Sequence, residues 1–134
     1  MPRILIADDD EAFLYTIQAQ LAERGYTVEI VLNAIEIFSM IDRFKPDLIL
    51  LDTYLKNYDG RTIGRMLKLN PSTAKLPIIL CSADPGIAHT SFHTAADRFC
   101  VKPCDIDQLV ASIESLLPNS SSDRTTGKGR NKTS

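Results

Sequence analysis

The sequence contains no apolar segment close to the length that crosses a bilayer. A transmembrane helix needs about 20 consecutive apolar residues, and the apolar runs of this 134-residue chain are much shorter. The residues from Met1 to Ile4 lead directly into a strand-like pattern and lack the layout of a signal peptide. We therefore expect a cytoplasmic protein without a membrane-spanning segment.

Cysteines are few, and their spacing matches no common metal or disulfide pattern. The three are Cys81, Cys100 and Cys104, an odd number without CxxC spacing. Such a set is more typical of reduced thiols in a cytoplasmic protein than of a disulfide framework or a zinc site. Cys81 and Cys100 lie within apolar runs, which predicts that they are small core residues.

An excess of positive charge, which is common in proteins that bind nucleic acid, is also missing. The formal net charge is −2, and part of the basic charge lies near the end of the chain, in Arg124, Lys128, Arg130 and Lys132. The body before them is therefore more acidic than the whole chain. An acidic body argues against direct binding of nucleic acid by the folded part.

Short apolar segments alternate with amphipathic segments along the chain. The apolar segments are residues 3–7, 27–32, 47–51, 77–82 and 98–102. Helical patterns and helix start signals occur between and after them, at 11–24, from Asn33, after Gly60, at 87–95 and from Asp105. This alternation predicts an α/β fold, a doubly wound sheet of five parallel strands that is buried on both faces and covered by helices.

A single domain is expected over residues 1–118. Residues 119–134 are polar, partly basic and rich in serine, a composition that cannot bury a core. We predict that they form a disordered tail, or a linker cut short of an output domain.

Polar residues collect where the predicted strands end, and in an open parallel sheet the active crevice lies beyond these ends. The side chains concerned are Asp8, Asp9, Asp10, Asp52, Ser82 and Lys102. Each alone has an ordinary structural explanation, and Asp10 is expected to cap the following helix. Their occurrence at the matching ends of four strands favours a functional site.

Several clustered carboxylates repel one another, so they need a cation or shifted pKa values. Mg²⁺ binds through one or two carboxylates together with phosphate oxygens and water, which suits a magnesium-dependent reaction of a phosphoryl group. An aspartate can also act as a nucleophile and form an aspartyl phosphate. The GxxxxGK(S/T) loop of nucleotide-binding proteins is missing from the sequence, so ATP is not the evident phosphodonor.

Four segments resemble, in order and spacing, the signature of the response-regulator receiver domain of two-component signalling systems. They are ILIADDD at 4–10, DLILLD at 47–52 followed by DG at 59–60, PIILCSA at 77–83 and ADRFCVKP at 96–103. The resemblance covers residues 3–117. It implies a flavodoxin-like single domain with the strand order 2-1-3-4-5.

The resemblance also implies the roles of the acidic residues. Asp52 would accept a phosphoryl group from a phosphohistidine on a sensor histidine kinase or a histidine phosphotransfer protein. Asp8 and Asp9 would bind Mg²⁺, and Asp52 and the backbone carbonyl of Tyr54 would complete the protein ligands.

Further residues take roles by the same resemblance. Ser82 and Lys102 would contact the phosphoryl oxygens, and the Lys102–Pro103 peptide bond would be cis. Phe99 falls at the aromatic switch position, although a core aromatic residue in a strand explains it equally well. The protein would be a phosphorelay switch rather than an enzyme, a monomer or weak dimer that changes a contact with an output protein, without direct binding of nucleic acid or membrane.

The sequence departs from the family pattern at Lys56, where proline is usual, so we expect a looser loop after Asp52. His89 and His93 have a spacing that can chelate zinc, but two histidines on an exposed helical face are the commoner case. Two alternative functions remain. One is a constitutive docking module without phosphotransfer, and the other is a phosphohydrolase, which Tyr54 disfavours because it occupies the place of the second carboxylate that such enzymes usually need.

Overall fold

The computed structural model describes residues 1–86 and 95–117. The predicted short helix at 87–95, except its last residue, lies outside the described residues, as do the His89 and His93 pair and the predicted tail at 119–134. Among the described residues, no helix has the length and apolar character needed to span a bilayer.

Most of the described strands form one parallel sheet. In chain order, the strands are β1 (Arg3–Ala7), β2 (Thr27–Val31), β3 (Leu48–Asp52), β4 (Tyr54–Leu55), β5 (Tyr58–Asp59), β6 (Ile78–Ser82) and β7 (Arg98–Val101). The five-stranded sheet has the order β2-β1-β3-β6-β7, which confirms the predicted order 2-1-3-4-5 when its strands are numbered along the chain. The sequence pattern does not predict the antiparallel hairpin of β4 and β5.

Four helices lie within the described residues, and an aspartate caps the N-terminus of three of them. They are α1 (Glu11–Glu23), α2 (Ile35–Phe44), α3 (Gly60–Leu69) and α4 (Ile106–Leu116). The carboxylates of Asp10, Asp59 and Asp105 accept backbone N–H groups of the first turns of α1, α3 and α4, as capping aspartates do. Gly25 follows α1 with a φ of +94°, a conformation that favours glycine.

The helices cover both faces of the sheet. On one face, Ile37 of α2 and Leu67 of α3 pack in the same buried cluster as Leu5 of β1. On the other face, Leu14 of α1 packs with Ile6 of β1. Successive residues of a strand point to opposite faces, so β1 contributes to both halves of the core. This arrangement confirms the doubly wound fold.

The prediction that the strands are buried on both faces is correct for the central strands and wrong for the edge strands. β3 and β6 are buried throughout, as is β1 after its first residue. The edge strands β2 and β7 each keep two exposed residues. An edge strand has one neighbouring strand instead of two, so its flank remains open to solvent.

The expectation of three reduced thiols is wrong in this structure, because a disulfide joins Cys100 and Cys104. Four residues of extended chain would separate their Cα atoms by about 13 Å. The chain bends at Lys102 and Pro103, and the Cα atoms are only 6.2 Å apart, a separation that a disulfide spans. Cys81 remains free and buried, as predicted for a core residue.

Candidate functional site

The carboxyl ends of four neighbouring strands carry the predicted site residues. Asp8 follows β1, and Lys102 follows β7. Asp52 and Ser82 are the last residues of β3 and β6. Because these strands are parallel and adjacent, their ends meet at one edge of the sheet. Asp10 is the exception, since its carboxylate caps α1.

Three carboxylates form a cluster at this edge. Carboxylate oxygens of Asp8, Asp9 and Asp52 all lie within 4.8 Å of one another. Asp8 is 1% exposed and Asp52 is 8% exposed, so water screens their mutual repulsion poorly. The backbone N–H of Asp10 donates to Asp8 Oδ1 at 2.9 Å, which fixes one carboxylate. A partly open set of hard oxygen ligands fits Mg²⁺.

Among the described residues, Lys102 is the one whose ammonium group directly contacts these carboxylates. Its Nζ donates to Asp8 Oδ2 at 2.6 Å and to Asp52 Oδ1 at 3.3 Å. The same Nζ lies 4.4 Å from the centre of the Phe13 ring, within the range of a cation–π interaction. Sequence reasoning missed Phe13, because an aromatic residue in the first turns of a helix has the pattern of a core residue.

Burial and neighbouring charges shift two of the site's pKa values. The pKa of Asp52 is raised from 3.8 to about 6, first by burial and then by the charge of Asp8, while Lys102 acts in the opposite direction. Burial lowers the pKa of Lys102, but its hydrogen bond to Asp8 and the charge of Asp52 outweigh burial, so the pKa is raised. The ammonium therefore stays charged, and three carboxylates still outnumber it.

The raised pKa of Asp52 makes the stability of the metal-free protein depend on pH. A carboxyl whose pKa is raised by folding stabilises the folded state fully below its unfolded pKa, and this contribution is lost as pH rises through the folded pKa. Between pH 3.8 and about 6, Asp52 should therefore progressively lose a contribution of roughly 3 kcal/mol.

This pH-dependent loss of stability can be measured by chemical unfolding at pH 5 and pH 8. The two proteins compared are the wild type and Asp52→Asn, both without Mg²⁺. The wild-type protein should lose more stability than the variant between the two pH values, because both proteins share every other titrating group. Equal losses of stability in the two proteins would contradict the raised pKa of Asp52.

Buried hydroxyls fix the backbone beside the carboxylates. Ser82 is 2% exposed, and its Oγ accepts a hydrogen bond from the backbone N–H of Asp84 at 3.0 Å. A hydroxyl that accepts a bond keeps its own proton as a donor. The hydroxyl and the backbone N–H of Thr53 both donate to the carbonyl of Cys81, at 2.7 and 2.9 Å. No sequence pattern indicates a role for Thr53, which follows Asp52 and is anchored to β6 by these two hydrogen bonds.

Gly60 permits a close approach of its backbone to that of Asp52. Its N–H donates to the carbonyl of Thr53 at 2.7 Å. A Cβ at this position would overlap the backbone carbonyl of Asp52. The resemblance includes Gly60 in the Asp59-Gly60 pair, but the sequence alone does not show why glycine is needed there.

Lys56, where the family pattern has proline, makes a backbone contact with the carboxylate cluster, while the expected looser loop stays a prediction. It lies between β4 and β5 with a φ of +55°, a conformation that proline cannot adopt. Its backbone N–H donates to Asp9 Oδ2 at 3.0 Å. Proline has no N–H donor. This departure from the family pattern therefore adds a hydrogen bond between the hairpin and a carboxylate of the cluster.

Lys56→Pro should lower the free energy of unfolding by at least about 1 kcal/mol, because it removes the bond to Asp9 and forbids the observed φ. Lys56→Gly is the matched control, since glycine keeps the N–H and adopts a positive φ easily. Its stability should stay within about 0.5 kcal/mol of wild type. Equal stability of the two variants in chemical unfolding would rule out the backbone tie.

The remaining predicted residues are Tyr54, Phe99 and Pro103. Tyr54 lies on β4, and its side chain is 62% exposed, while the proposed metal contact of its carbonyl stays a prediction. Phe99 is half-buried and packs against the core face that includes α3, and its switch role is likewise untested. The Lys102–Pro103 peptide bond is cis.

The fold and site define a class of protein, a doubly wound α/β domain with three carboxylates and a lysine at the carboxyl edge of its sheet. The family model of the response regulator receiver domain matches residues 4–114. This match spans most of the chain, so the chain belongs to the response regulator receiver family of two-component systems.

Similar proteins include the DNA-binding dual master transcriptional regulator RpaA of Synechocystis, which is 34% identical over 119 residues. That match covers 87% of this chain and 49% of RpaA. The chain thus spans about half the length of this relative.

Two solved structures show the same fold. The signal receiver domain of a signal transduction histidine kinase from Syntrophus aciditrophicus is 31% identical with a TM-score of 0.80, covering 96% of this chain and 97% of that one. The response regulator TrrA of Thermotoga maritima, solved in complex with Mg²⁺-BeF, is 26% identical with a TM-score of 0.77, covering 87% and 99%.

Proposed function

We propose that this protein is a phosphorelay switch that accepts a phosphoryl group on Asp52. The observation that carries the proposal is the position of the Asp52 carboxylate, which lies at the carboxyl edge of the sheet within 4.8 Å of two other carboxylates. Its Oδ1 also lies 3.3 Å from the Nζ of Lys102. The proposed nucleophile, the proposed metal ligands and a cationic donor thus lie together at one edge of the sheet.

In the proposed reaction, an oxygen of Asp52 forms a bond to phosphorus while the bond to the donor's histidine nitrogen breaks. Asp52 is mostly ionised at neutral pH, because its pKa of about 6 lies below 7. Asp8, Asp9 and Asp52, with the backbone carbonyl of Tyr54, would hold Mg²⁺, which when bound neutralises negative charge on the phosphoryl oxygens. Lys102 would bind one of these oxygens.

A partner protein would then recognise the phosphorylated state by binding to it. Ser82 and Lys102 would contact the new phosphoryl group, and Phe99 would move with them to change a protein–protein contact. The donor would be a sensor histidine kinase or a histidine phosphotransfer protein in the cytoplasm. The chain would act as a switch rather than an enzyme, as a monomer or weak dimer, and the receiver itself would not bind nucleic acid.

Intact mass measurement with Mg²⁺ and a small acyl phosphate tests this function. Wild-type protein should gain the mass of one phosphoryl group, and chelation of Mg²⁺ should prevent the gain. Asp9→Ala should abolish Mg²⁺-dependent labelling while the fold is retained, because it removes a ligand that is not the acceptor. Unchanged labelling of Asp9→Ala, or labelling without any divalent ion, would contradict the proposal.

A further inference from the structure

Two of the three cysteines flank the segment that carries Lys102. Cys100 belongs to β7, Cys104 lies four residues further along the chain, and a disulfide joins them. Lys102 lies midway between them and contacts both Asp8 and Asp52. The disulfide therefore closes a short backbone ring around the lysine of the candidate site.

The third cysteine lies close to this pair but differs from it in exposure. Sulfur atoms of Cys81, Cys100 and Cys104 all lie within 4.8 Å of one another. Cys81 is buried, whereas Cys100 and Cys104 are partly exposed, so a redox reagent in solution can reach only the latter two. Burial also raises the pKa of the Cys81 thiol to about 12, which keeps it protonated and a poor nucleophile. The disulfide takes two of the three sulfurs, so in this state they do not form a three-thiolate metal site.

We propose that Cys100 and Cys104 form a reversible oxidation site whose disulfide fixes the Lys102 segment and speeds phosphoryl transfer to Asp52. This inference rests on the proposed function. A disulfide that forms in a reducing compartment is usually transient and redox-sensing, which suits a partly exposed pair on either side of Lys102.

The oxidant is a peroxide. The thiolate of one cysteine attacks the O–O bond of hydrogen peroxide, giving a sulfenic acid and hydroxide. The thiol of the other cysteine then attacks this sulfur, so the S–S bond forms and water leaves. Two thiols and one hydrogen peroxide thus give one disulfide and two waters, with both sulfurs oxidised and the peroxide oxygens reduced. A dithiol reductant reverses the reaction by thiol–disulfide exchange.

The effect on phosphoryl transfer follows from the position of the ring. The backbone N–H of Lys102 donates to the carbonyl of Ser82 at 2.8 Å, which anchors the segment before the bend. The disulfide anchors it after the bend, at Cys104. A lysine held by both anchors needs less ordering when the phosphoryl group arrives, and a preorganised group reacts faster. Reduction releases the second anchor.

The oxidation site itself is tested on the full chain by counting free thiols. Protein treated with hydrogen peroxide, then denatured and alkylated, should carry one alkyl group, on Cys81. After treatment with dithiothreitol, it should carry three. A peptide map should locate the oxidised pair at Cys100 and Cys104. Three alkylated thiols after peroxide treatment, or a disulfide that includes Cys81, would overturn the site.

The coupling is tested by labelling both forms with acetyl phosphate and Mg²⁺ and following the intact mass with time. The oxidised form should be labelled several-fold faster than the reduced form. The double variant Cys100→Ser with Cys104→Ser should show the slower rate under both conditions, and Cys81→Ala should keep the redox dependence.

Equal rates for the two forms, a faster reduced form, or a redox dependence that survives the double variant would overturn the coupling. If neither form is labelled, the proposed function fails and the coupling fails with it. The thiol count would still decide separately whether the oxidation site exists.

Discussion

Asp52→Asn should leave the protein folded and unable to gain a phosphoryl group from a small acyl phosphate in the presence of Mg²⁺. The amide has nearly the shape of the carboxyl but is a far weaker nucleophile, so the acceptor is lost without a cavity. The substitution also removes one of three clustered negative charges, so the apo variant should be at least as stable as wild type at pH 8.

Asp42→Asn is the matched control for this prediction. Asp42 lies exposed on α2, away from the ends of the sheet strands, so its variant should be labelled like wild type. Intact mass measurement of the three proteins, with circular dichroism to verify folding, decides the outcome. A phosphoryl gain that persists in Asp52→Asn would place the acceptor on another side chain and refute the proposed function.

Gly60→Ala should destabilise the protein by about 3 kcal/mol or more, because the added methyl group would overlap the backbone carbonyl of Asp52. Backbone cannot move aside as the end of a flexible side chain can. Either β3, which ends at Asp52, or the start of α3 must shift. We therefore also expect that any folded Gly60→Ala protein is labelled slowly.

Gly64→Ala separates this steric effect from the general effect of alanine in a helix. Gly64 lies one turn further along α3, and its Cβ would meet only Ile78 and Leu51 side chains, at 3.7 and 4.0 Å, which is ordinary van der Waals contact. Within a helix, alanine is more favourable than glycine by roughly 0.5–1 kcal/mol. The Gly64→Ala variant should therefore be as stable as wild type or slightly more stable. Similar unfolding free energies for the two variants would contradict the close approach at Gly60.

Local sequence patterns predict the frame of this protein well, because they report on burial along each segment. The leucine- and isoleucine-rich run at 47–51 predicts a buried strand, and β3 occupies Leu48–Asp52. Asp10 predicts the start of α1, and Gly25 predicts its end. In each case the decisive interaction joins residues close together in the chain, or depends only on how apolar a segment is.

The candidate site is predicted in part for a related reason. Parallel strands place their carboxyl ends at one edge, so Asp8, Asp52 and Lys102 can be assigned to the same pocket once the strands are recognised. Their distances cannot be predicted in this way. The 2.6 Å bond between Lys102 and Asp8 depends on side-chain conformations and on how β3 and β6 place the end of β7 relative to the end of β1.

Other features depend on contacts between segments that no local pattern reports. The hydrogen bond from Lys56 to Asp9 joins residues 47 positions apart, and no local pattern in the sequence indicates it. The disulfide of Cys100 and Cys104 requires the bend at Lys102, which residue spacing does not reveal.

The sequence by itself determined the strand order through its family resemblance, the starts of α1 and α4 through Asp10 and Asp105, and the residues at the carboxyl edge through the strand ends. Only the tertiary structure decided how the edge strands are exposed, why Gly60 is needed, and which cysteines are joined. Propensity, capping and hydrophobic pattern act over a few neighbouring residues. Steric overlap, hydrogen bonds across loops and disulfides depend on atoms that only the folded chain brings together.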